Sequence, residues 1–176
     1  MSAKEILLYI LFPLILFSGF LSICFYVIIK QRKQLKYNKV FDRIKNSIPN
    51  LVQIYFKFNG HYDIYAETQY SKYYIKIITN TKGKYLHVNP NYDFYLLNKP
   101  TDNLLYPLNV QKFLEFNPID LNKRINKIIV LYPEVIEKVY YESNVKARFI
   151  YSDVEIRGAH ILNFDEIGQY FKETEI

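Results

Sequence analysis

The sequence is poor in the residues that build disulfide, metal and nucleotide sites. Its single cysteine, Cys24, lies in an apolar stretch, which excludes an intramolecular disulfide framework and fits a reducing compartment. The histidines have no ligand spacing and no partner cysteine pairs, so a zinc site is not predicted: His61, His87 and His160. A Gly-rich phosphate loop, a nucleophile elbow and a dinucleotide fingerprint are also absent from the sequence. The sequence therefore predicts no cofactor of these classes.

The residues from Asn46 onward, which are predicted to form the folded domain, also lack an excess of positive charge. The net charge of +6 arises between Lys30 and Lys45, where seven basic residues accompany one acid, Asp42. From Asn46 to Ile176, 15 basic and 15 acidic residues cancel. A neutral domain lacks the broad basic face that drives phosphate binding, so its charge does not support nucleic acid as a partner.

Charge is missing altogether between Ile6 and Ile29. As a helix this run is about 36 Å long, which exceeds the hydrocarbon core of a bilayer, roughly 30 Å. Tyr9 and Tyr26 fall near its two ends, where amphipathic rings prefer to lie. Because the basic residues follow the run, the positive-inside rule predicts a cytoplasmic C-terminal domain. The sequence therefore predicts a single-pass anchor in the cell membrane, with the lipid bilayer as a partner.

Two alternatives would export the domain instead. A cleaved signal peptide has a shorter apolar core and small residues at its exit, whereas this run is long and ends in bulky residues. A lipoprotein cleavage box at Leu21-Ser22-Ile23-Cys24 requires a small residue where Ile23 stands. The basic flank separates the anchor from both alternatives.

We predict three parts: an anchor (1–29), a basic juxtamembrane helix (30–48) and an α/β domain (49–176). The apolar residues of the basic helix are predicted to share one face: Leu35, Val40, Phe41, Ile44 and Ile48. Its cations are predicted to attract anionic headgroups, at about 1 kcal/mol each near the surface. These cations are Lys30, Arg32, Lys33, Lys36 and Lys39. The alternative is a flank that only sets the topology of the chain.

After Pro49, which ends the helix, the apolar pattern alternates as in a half-buried strand. It predicts strands over 52–58, 62–68 and 72–79, with Asn59-Gly60 as a hairpin turn. A fourth strand over 85–88 completes a predicted antiparallel meander.

The second half of the chain predicts helices around a buried strand. Pro107 is expected to open a helix that covers Val110, Phe113 and Leu114, and Asn117-Pro118 to start another helical stretch. The continuous apolar run from Ile128 to Tyr132 predicts a strand that is buried on both faces.

Further strands are predicted at Ala147–Tyr151 and His160–Leu162. A closing helix is expected to start at Asn163 or Asp165 and to bury Ile167, Tyr170 and Phe171. The predicted fold class is therefore α/β (α+β), with a small mixed sheet and flanking helices behind an N-terminal transmembrane helix.

Several short motifs follow one another in a recognisable order. They are His61-Tyr62-Asp63, Tyr74-Ile75-Lys76 with the polar turn Asn80 to Gly83, Tyr106-Pro107 with Gln111, and the apolar strand Ile128 to Tyr132. In this order they resemble the nuclease-related domain family over most of residues 36–172. That resemblance implies a restriction-endonuclease-like fold, often found with an N-terminal membrane helix.

The resemblance also implies a site. In the family an Asp and an acid-x-Lys triplet hold a divalent metal and orient the attacking water. Asp63 matches the first Asp and Lys76 matches the Lys, so the resemblance implies that both are catalytic residues and that Asp63 binds Mg²⁺. Another role for the two residues is a cross-strand ion pair on a solvated sheet face. The tyrosines of the strands could likewise stack on bases or pack within the sheet.

The sequence departs from the family pattern at its acids. Tyr74 stands where the family has a metal-binding acid, and a phenol with a pKa near 10 cannot replace a carboxylate at neutral pH. The family's early Glu is missing, because the corresponding stretch reads Lys39-Val40-Phe41-Asp42. Glu67 follows Asp63 on the same strand but lies about 13 Å away by strand rise.

These departures favour a membrane-anchored cytoplasmic binding or assembly module on a degenerate nuclease-like scaffold, with an unknown protein partner. Two alternatives stay open. One is an active Mg²⁺-dependent nuclease tethered to the membrane, and the other is an accessory subunit of an envelope complex.

Overall fold

The computed structural model describes residues 3–57, 60–79, 83–100, 105–143 and 146–174, with side chains from residue 14 onward except those of 142 and 143. It is a mixed α/β structure with a long N-terminal apolar helix and two mixed sheets. The elements, in chain order, are α1 (Ala3–Ser47), β1 (Leu51–Phe56), β2 (Ile64–Thr68), β3 (Ser71–Thr79), β4 (Tyr85–Val88), β5 (Phe94–Leu97), β6 (Tyr106–Leu108), α2 (Gln111–Glu115), β7 (Arg124–Tyr132), β8 (Glu137–Ser143), β9 (Lys146–Phe149), β10 (Glu155–Ile156), β11 (Ala159–Asn163) and α3 (Ile167–Thr174).

Helix α1 contains both the predicted apolar run and the basic segment behind it. Among the described residues it is the one helix long and apolar enough to cross a membrane, by length and composition. The hydroxyl groups of Ser18 and Ser22 donate to the carbonyl oxygens of Ile15 and Ser18, each at 2.9 Å. These two hydroxyl groups are therefore satisfied within the helix itself.

The chain divides into two compact units, Met1–Lys36 and Tyr37–Ile176. We call the second the globular unit, and the last part of α1 belongs to it. Val40 and Ile44 are fully buried there, which confirms most of the predicted apolar face. The prediction is wrong for Leu35, which is 60% exposed because it precedes the globular unit.

The first sheet has the strand order β1-β2-β3-β7-β11-β10. Strands β1, β2 and β3 form an antiparallel meander, as predicted. Strand β7 runs parallel to β3 on one side and to β11 on the other. The ladder between β3 and β7 is long, from Ser71 opposite Arg124 to Thr79 opposite Tyr132. The chain thus places its most apolar strand in the middle of the sheet.

Side chains of β7 point alternately to the two faces of the first sheet and are buried on both, as predicted. Ile128 and Val130 pack with the globular part of α1 and with α3. Ile129 and Leu131 pack in a second apolar cluster, with residues of β4, β5 and α2. The globular unit therefore has three layers: helices, the first sheet and the second sheet.

The fourth predicted strand, β4, does not continue the meander, and this prediction was wrong. It belongs to the second sheet, whose order is β6-β5-β4-β8-β9. The physical reason is that β7 occupies the edge of β3 that β4 would need. Gly83 leads the chain into the second sheet with φ +113°, and a Cβ there would lie 2.8 Å from the Cβ of Leu96.

The two predicted helices near Pro107 and Pro118 also need correction. Pro107 lies in β6, an outer strand of the second sheet, where the missing N–H of proline is tolerated. The helix starts later, as α2, and buries Phe113 and Leu114 as expected. Residues 116–120 form no helix, because the chain is held in a loop around Asp120.

The closing helix α3 buries its three predicted apolar residues. The Asn163 N–H donates to Glu166 Oε2 at 2.7 Å, and the Asn163 side chain bonds both backbone groups of Val135. Lys138 Nζ donates to Glu166 Oε2 at 2.5 Å and to the Ile161 carbonyl at 2.9 Å. These bonds join α3 to the first sheet and to strand β8 of the second.

Candidate functional site

Asp63 and Lys76, the two residues singled out by the sequence, lie side by side in the structure. Asp63 directly precedes β2, and Lys76 lies next to it on β3. Lys76 Nζ is 3.2 Å from Asp63 Oδ1, with the two side chains 18% and 7% exposed respectively. The pair has the cross-strand contact expected of a structural ion pair.

The second carboxylate oxygen of Asp63 holds the backbone of β3. The ladder between β2 and β3 ends at Ile64 opposite Ile75, and Asp63 Oδ2 accepts the next N–H, that of Ile77, at 2.8 Å. The Asp63 backbone donates to the Ile75 carbonyl and accepts from the Lys57 N–H, each at 2.8 Å. Asp63 therefore joins β1, β2 and β3 at one end, which we call the Asp63 end of the first sheet.

Helix α1 reaches the Asp63 end through Tyr37, the first residue of the globular unit. Burial, followed by the negative charge of Asp63, raises the pKa of Tyr37 to about 12. The phenol is therefore neutral at physiological pH and adds no charge near Asp63.

Tyr74, at the position where the resemblance would place a metal-binding acid, is part of an aromatic cluster. The ring centroid of Tyr74 lies 5.0 Å from that of Tyr62, 5.4 Å from that of Tyr65 and 5.2 Å from that of Phe116. Burial raises the pKa of Tyr74, so its phenol stays protonated at neutral pH. Tyr74 thus packs in the sheet and supplies no anionic oxygen to Asp63.

Glu67, the other carboxylate on β2, is committed to a different network. Glu67 Oε1 is 2.6 Å from Lys123 Nζ, and Oε2 accepts from the Tyr65 hydroxyl at 2.6 Å and from Gln53 Nε2 at 2.5 Å. The hydrogen bond from Lys123, with those from Tyr65 and Gln53, lowers the pKa of Glu67 to about 2. These three donors hold Glu67 among residues other than those around Asp63.

The donor set around Asp63 does not fit a divalent metal. Mg²⁺ prefers several oxygen ligands, commonly including one or two carboxylates. Within the part of the chain that the structure describes, no three His, Cys, Asp or Glu residues lie together as a metal site. Both oxygens of Asp63 are already used by Lys76 and Ile77. The pair therefore does not offer the set of carboxylate ligands that a metal-dependent step needs.

A cavity of about 270 Å³ opens close to the Asp63 end. Its lining consists of Gly60, His61, Lys112, Glu115 and Phe116. His61 Nδ1 lies 3.2 Å from the Lys112 carbonyl oxygen, and its ring centroid lies 5.4 Å from that of Phe116. Sequence reasoning did not find this group, because it exists only after α2 folds against the turn that precedes β2.

The five cations predicted at the membrane surface all lie on α1. Four of them are exposed and Lys36 is half-buried. Lys39 belongs to the globular unit, and the others precede it. Their lipid contacts remain a prediction.

A second surface feature is the loop of residues 116–123, which presents two apolar side chains. Ile119 is 88% exposed and Leu121 is 95% exposed. Asp120, between them, bonds Lys72 Nζ at 2.5 Å through Oδ2 and accepts the N–H groups of Asn122 and Lys123 through Oδ1. The loop is therefore fixed to the sheet, while its apolar side chains point into solvent.

No protein-family model, no curated protein and no solved structure matches this chain. The nuclease-related resemblance therefore stays a prediction.

The contacts of Asp63 predict that it stabilises the fold. Asp63→Ala should lower the free energy of unfolding by about 2–3 kcal/mol, because it removes the ion pair and leaves a buried N–H, that of Ile77, unpaired. Asp63→Asn keeps an acceptor oxygen and should cost less. Urea unfolding of the full chain in detergent micelles, followed by near-UV circular dichroism, measures both. Equal stability of the Ala variant and the wild type would contradict this role.

The lowered pKa of Glu67 predicts that the protein loses stability in acid. Its pKa is about 2 in the folded state against an ordinary 4.5, so its stabilisation is complete above pH 4.5 and is lost as the pH falls toward 2. Glu67→Gln should flatten this part of the pH profile of the unfolding free energy. Asp165→Asn, at an exposed acid, is the matched control and should leave the slope unchanged. If the unfolding free energy of Glu67→Gln depended on pH as steeply as that of the wild type, the hydrogen bonds of Glu67 would not couple its protonation to folding.

Proposed function

We propose that the chain is a membrane-anchored cytoplasmic binding or assembly module, built on a restriction-endonuclease-like scaffold whose catalytic positions are degenerate. The uncharged run in α1 supports the anchor, since its length matches a bilayer and the excess of positive charge follows it, while Lys4 before it is balanced by Glu5. The same asymmetry supports the cytoplasmic placement of the globular unit.

One observation carries the non-catalytic part of the proposal. The single carboxylate at the candidate site uses one oxygen on Lys76 and the other on the Ile77 N–H. The position of its missing partner acid holds Tyr74, inside an aromatic cluster. A nuclease needs carboxylates that converge on a metal, whereas these groups hold strands together.

The loop of residues 116–123 supports the binding part of the proposal. A single exposed apolar side chain is common on protein surfaces and needs no explanation. Two of them on a loop whose backbone is fixed are preorganised to bind a partner. Tyr70, 68% exposed, lies in the neighbouring turn between β2 and β3. Its backbone carbonyl accepts the Arg124 N–H at 2.9 Å. This end of the first sheet is opposite the Asp63 end, so it is the end remote from Tyr37. A protein partner with an apolar pocket suits it.

Removal of the loop side chains is expected to abolish assembly without unfolding the protein. Ile119→Ser and Leu121→Ser should each change the unfolding free energy by less than about 0.5 kcal/mol, since both residues are almost fully exposed. Cross-linking in host membranes should show a wild-type adduct with a protein partner that both variants lose. Ile136→Ser, at another exposed isoleucine, is the matched control and should keep the adduct. Loss in all three variants, or in none, would contradict a role for the loop.

The nuclease alternative rests on the 3.2 Å approach of Lys76 to Asp63, the two residues that match catalytic positions. Our proposal predicts that the full chain in nanodiscs does not nick supercoiled DNA or cut RNA in Mg²⁺ or Mn²⁺. Cleavage that disappears in Asp63→Ala and in Lys76→Ala, with Arg124→Ala still active, would replace the proposal with the alternative.

A further inference from the structure

The strands of the second sheet turn every other side chain away from the first sheet. Leu86 and Val88 of β4, with Phe94 and Leu96 of β5, pack in the second apolar cluster, between the two sheets. The residues that alternate with them form the opposite side, which we call the outer face. Paired residues of the five strands cross it in one row: Pro107, Tyr95, His87, Val139 and Phe149. The described helices of the globular unit bury their apolar residues in the two clusters, so they do not cover this face.

Glu137, on β8, lies on the outer face between two tyrosines. Tyr85 is opposite it on β4. On the other side, the pairing of β8 with β9 continues beyond Phe149, because the Ile150 N–H donates to a β8 carbonyl at 2.8 Å. This register places Tyr151 beside Glu137. Ile150 is buried between the sheets, so Tyr151 and Phe149 both lie on the outer face, with ring centroids 6.4 Å apart.

Glu137 has no positive partner among the residues that the structure describes. It is half-buried, and its carboxylate forms no ion pair or hydrogen bond within that part of the chain. Glu67 and Asp120, by contrast, each lie within 2.6 Å of a lysine ammonium. Lys138, the next residue along β8, is buried on the other side of the sheet. Burial lowers the pKa of His87 more than the nearby charge of Glu137 raises it, so this imidazole is neutral at physiological pH. The outer face around Glu137 is therefore negatively charged.

These surroundings suit a planar cation. The faces of aromatic rings attract cations, and Phe149 and Tyr151 are 57% and 64% exposed. A guanidinium group can stack on a ring and donate two parallel N–H groups to a carboxylate. The ammonium group of lysine is more strongly hydrated and does not stack. A quaternary ammonium ion has no N–H group and is bound in enclosing cages of rings, whereas this face is open. Arginine therefore matches Glu137 and its neighbouring rings better than the other organic cations.

We infer that the outer face binds an arginine side chain of a protein partner, with the guanidinium group paired to Glu137 and stacked on Tyr151. A protein suits this open face better than a small molecule, because a small-molecule site encloses most of its ligand. Single-stranded nucleic acid also stacks on rings, but it needs cations for its phosphates, and Glu137 would repel them. The inference goes beyond the function proposed above, because the outer face belongs to the second sheet and the loop of residues 116–123 is fixed to the first.

The test measures binding of two fluorescently labelled peptides to the full chain in micelles of a neutral detergent at physiological salt. One peptide alternates arginine with glycine, and the other, of equal length and charge, alternates lysine with glycine. The arginine peptide should bind about fivefold more tightly, because lysine can pair with Glu137 but cannot stack on Tyr151. Equal affinity of the two peptides, or binding of neither, overturns the inference.

Substitutions locate the site. Glu137→Gln should weaken binding of the arginine peptide about fivefold, since it removes the ion pair. Tyr151→Ser should weaken it about threefold, whereas Tyr151→Phe, which keeps the ring, should retain it. Near-UV circular dichroism shows whether each variant is folded. Glu173→Gln, at an exposed acid of α3 on the far side of the first sheet, is the matched control and should bind like the wild type.

Wild-type affinity in Glu137→Gln, or equal weakening in Glu173→Gln, overturns the inference. A single-stranded DNA oligonucleotide that loses affinity in Tyr151→Ser, while the arginine peptide does not, also overturns it and assigns the outer face to nucleic acid.

Discussion

The globular unit depends on the need of β7 to bury both of its faces. Ile128 and Val130 require apolar cover on one face, and Ile129 and Leu131 require it on the other. One sheet cannot supply this, because a sheet covers the edges of a strand and leaves its faces open. The chain meets the need by folding α3 and the end of α1 over one face and a second sheet over the other. The departure of β4 from the meander follows directly, since β3 must give its outer edge to β7.

The burial of the first sheet also explains the structural role of Asp63. Strand β3 is longer than β2, so part of its backbone continues beyond the β2 ladder into a buried region. The N–H of Ile77, a residue that is 3% exposed, needs an acceptor there, and the Asp63 carboxylate supplies it. An acid at the end of a strand beside a lysine on the next strand has the same sequence signature whether it binds metal or closes a ladder. A metal site would need a further acid beside this pair. The resemblance would place that acid at position 74, which is a tyrosine in this chain.

Features with a local cause could be predicted from the sequence, and features that depend on distant partners could not. The apolar run, the first three strands of the meander, β7 and the apolar face of α3 each follow from a pattern within one segment, and the structure contains them. Strands β5 and β8 carry no comparable local signal, because their pairing depends on β4 lying between them. Pro107 was misassigned as a helix start because a proline at a sheet edge and one at a helix start look alike in sequence. Asp63 and Lys76 could be paired from strand alternation, whereas His61, Lys112 and Phe116 meet only after α2 folds against the turn before β2.

The distribution of charge favours a rigid platform over a catalytic centre. A metal site concentrates carboxylates, which repel one another until the cation binds, so it lowers stability in exchange for function. In this globular unit four partly buried carboxylates each have a lysine of their own: Asp63 with Lys76, Glu67 with Lys123, Asp120 with Lys72, and Glu166 with Lys138. Each pair joins segments that are distant in sequence or fixes a loop against the first sheet. A unit whose carboxylates are paired in this way keeps the segments that carry them in fixed positions relative to one another.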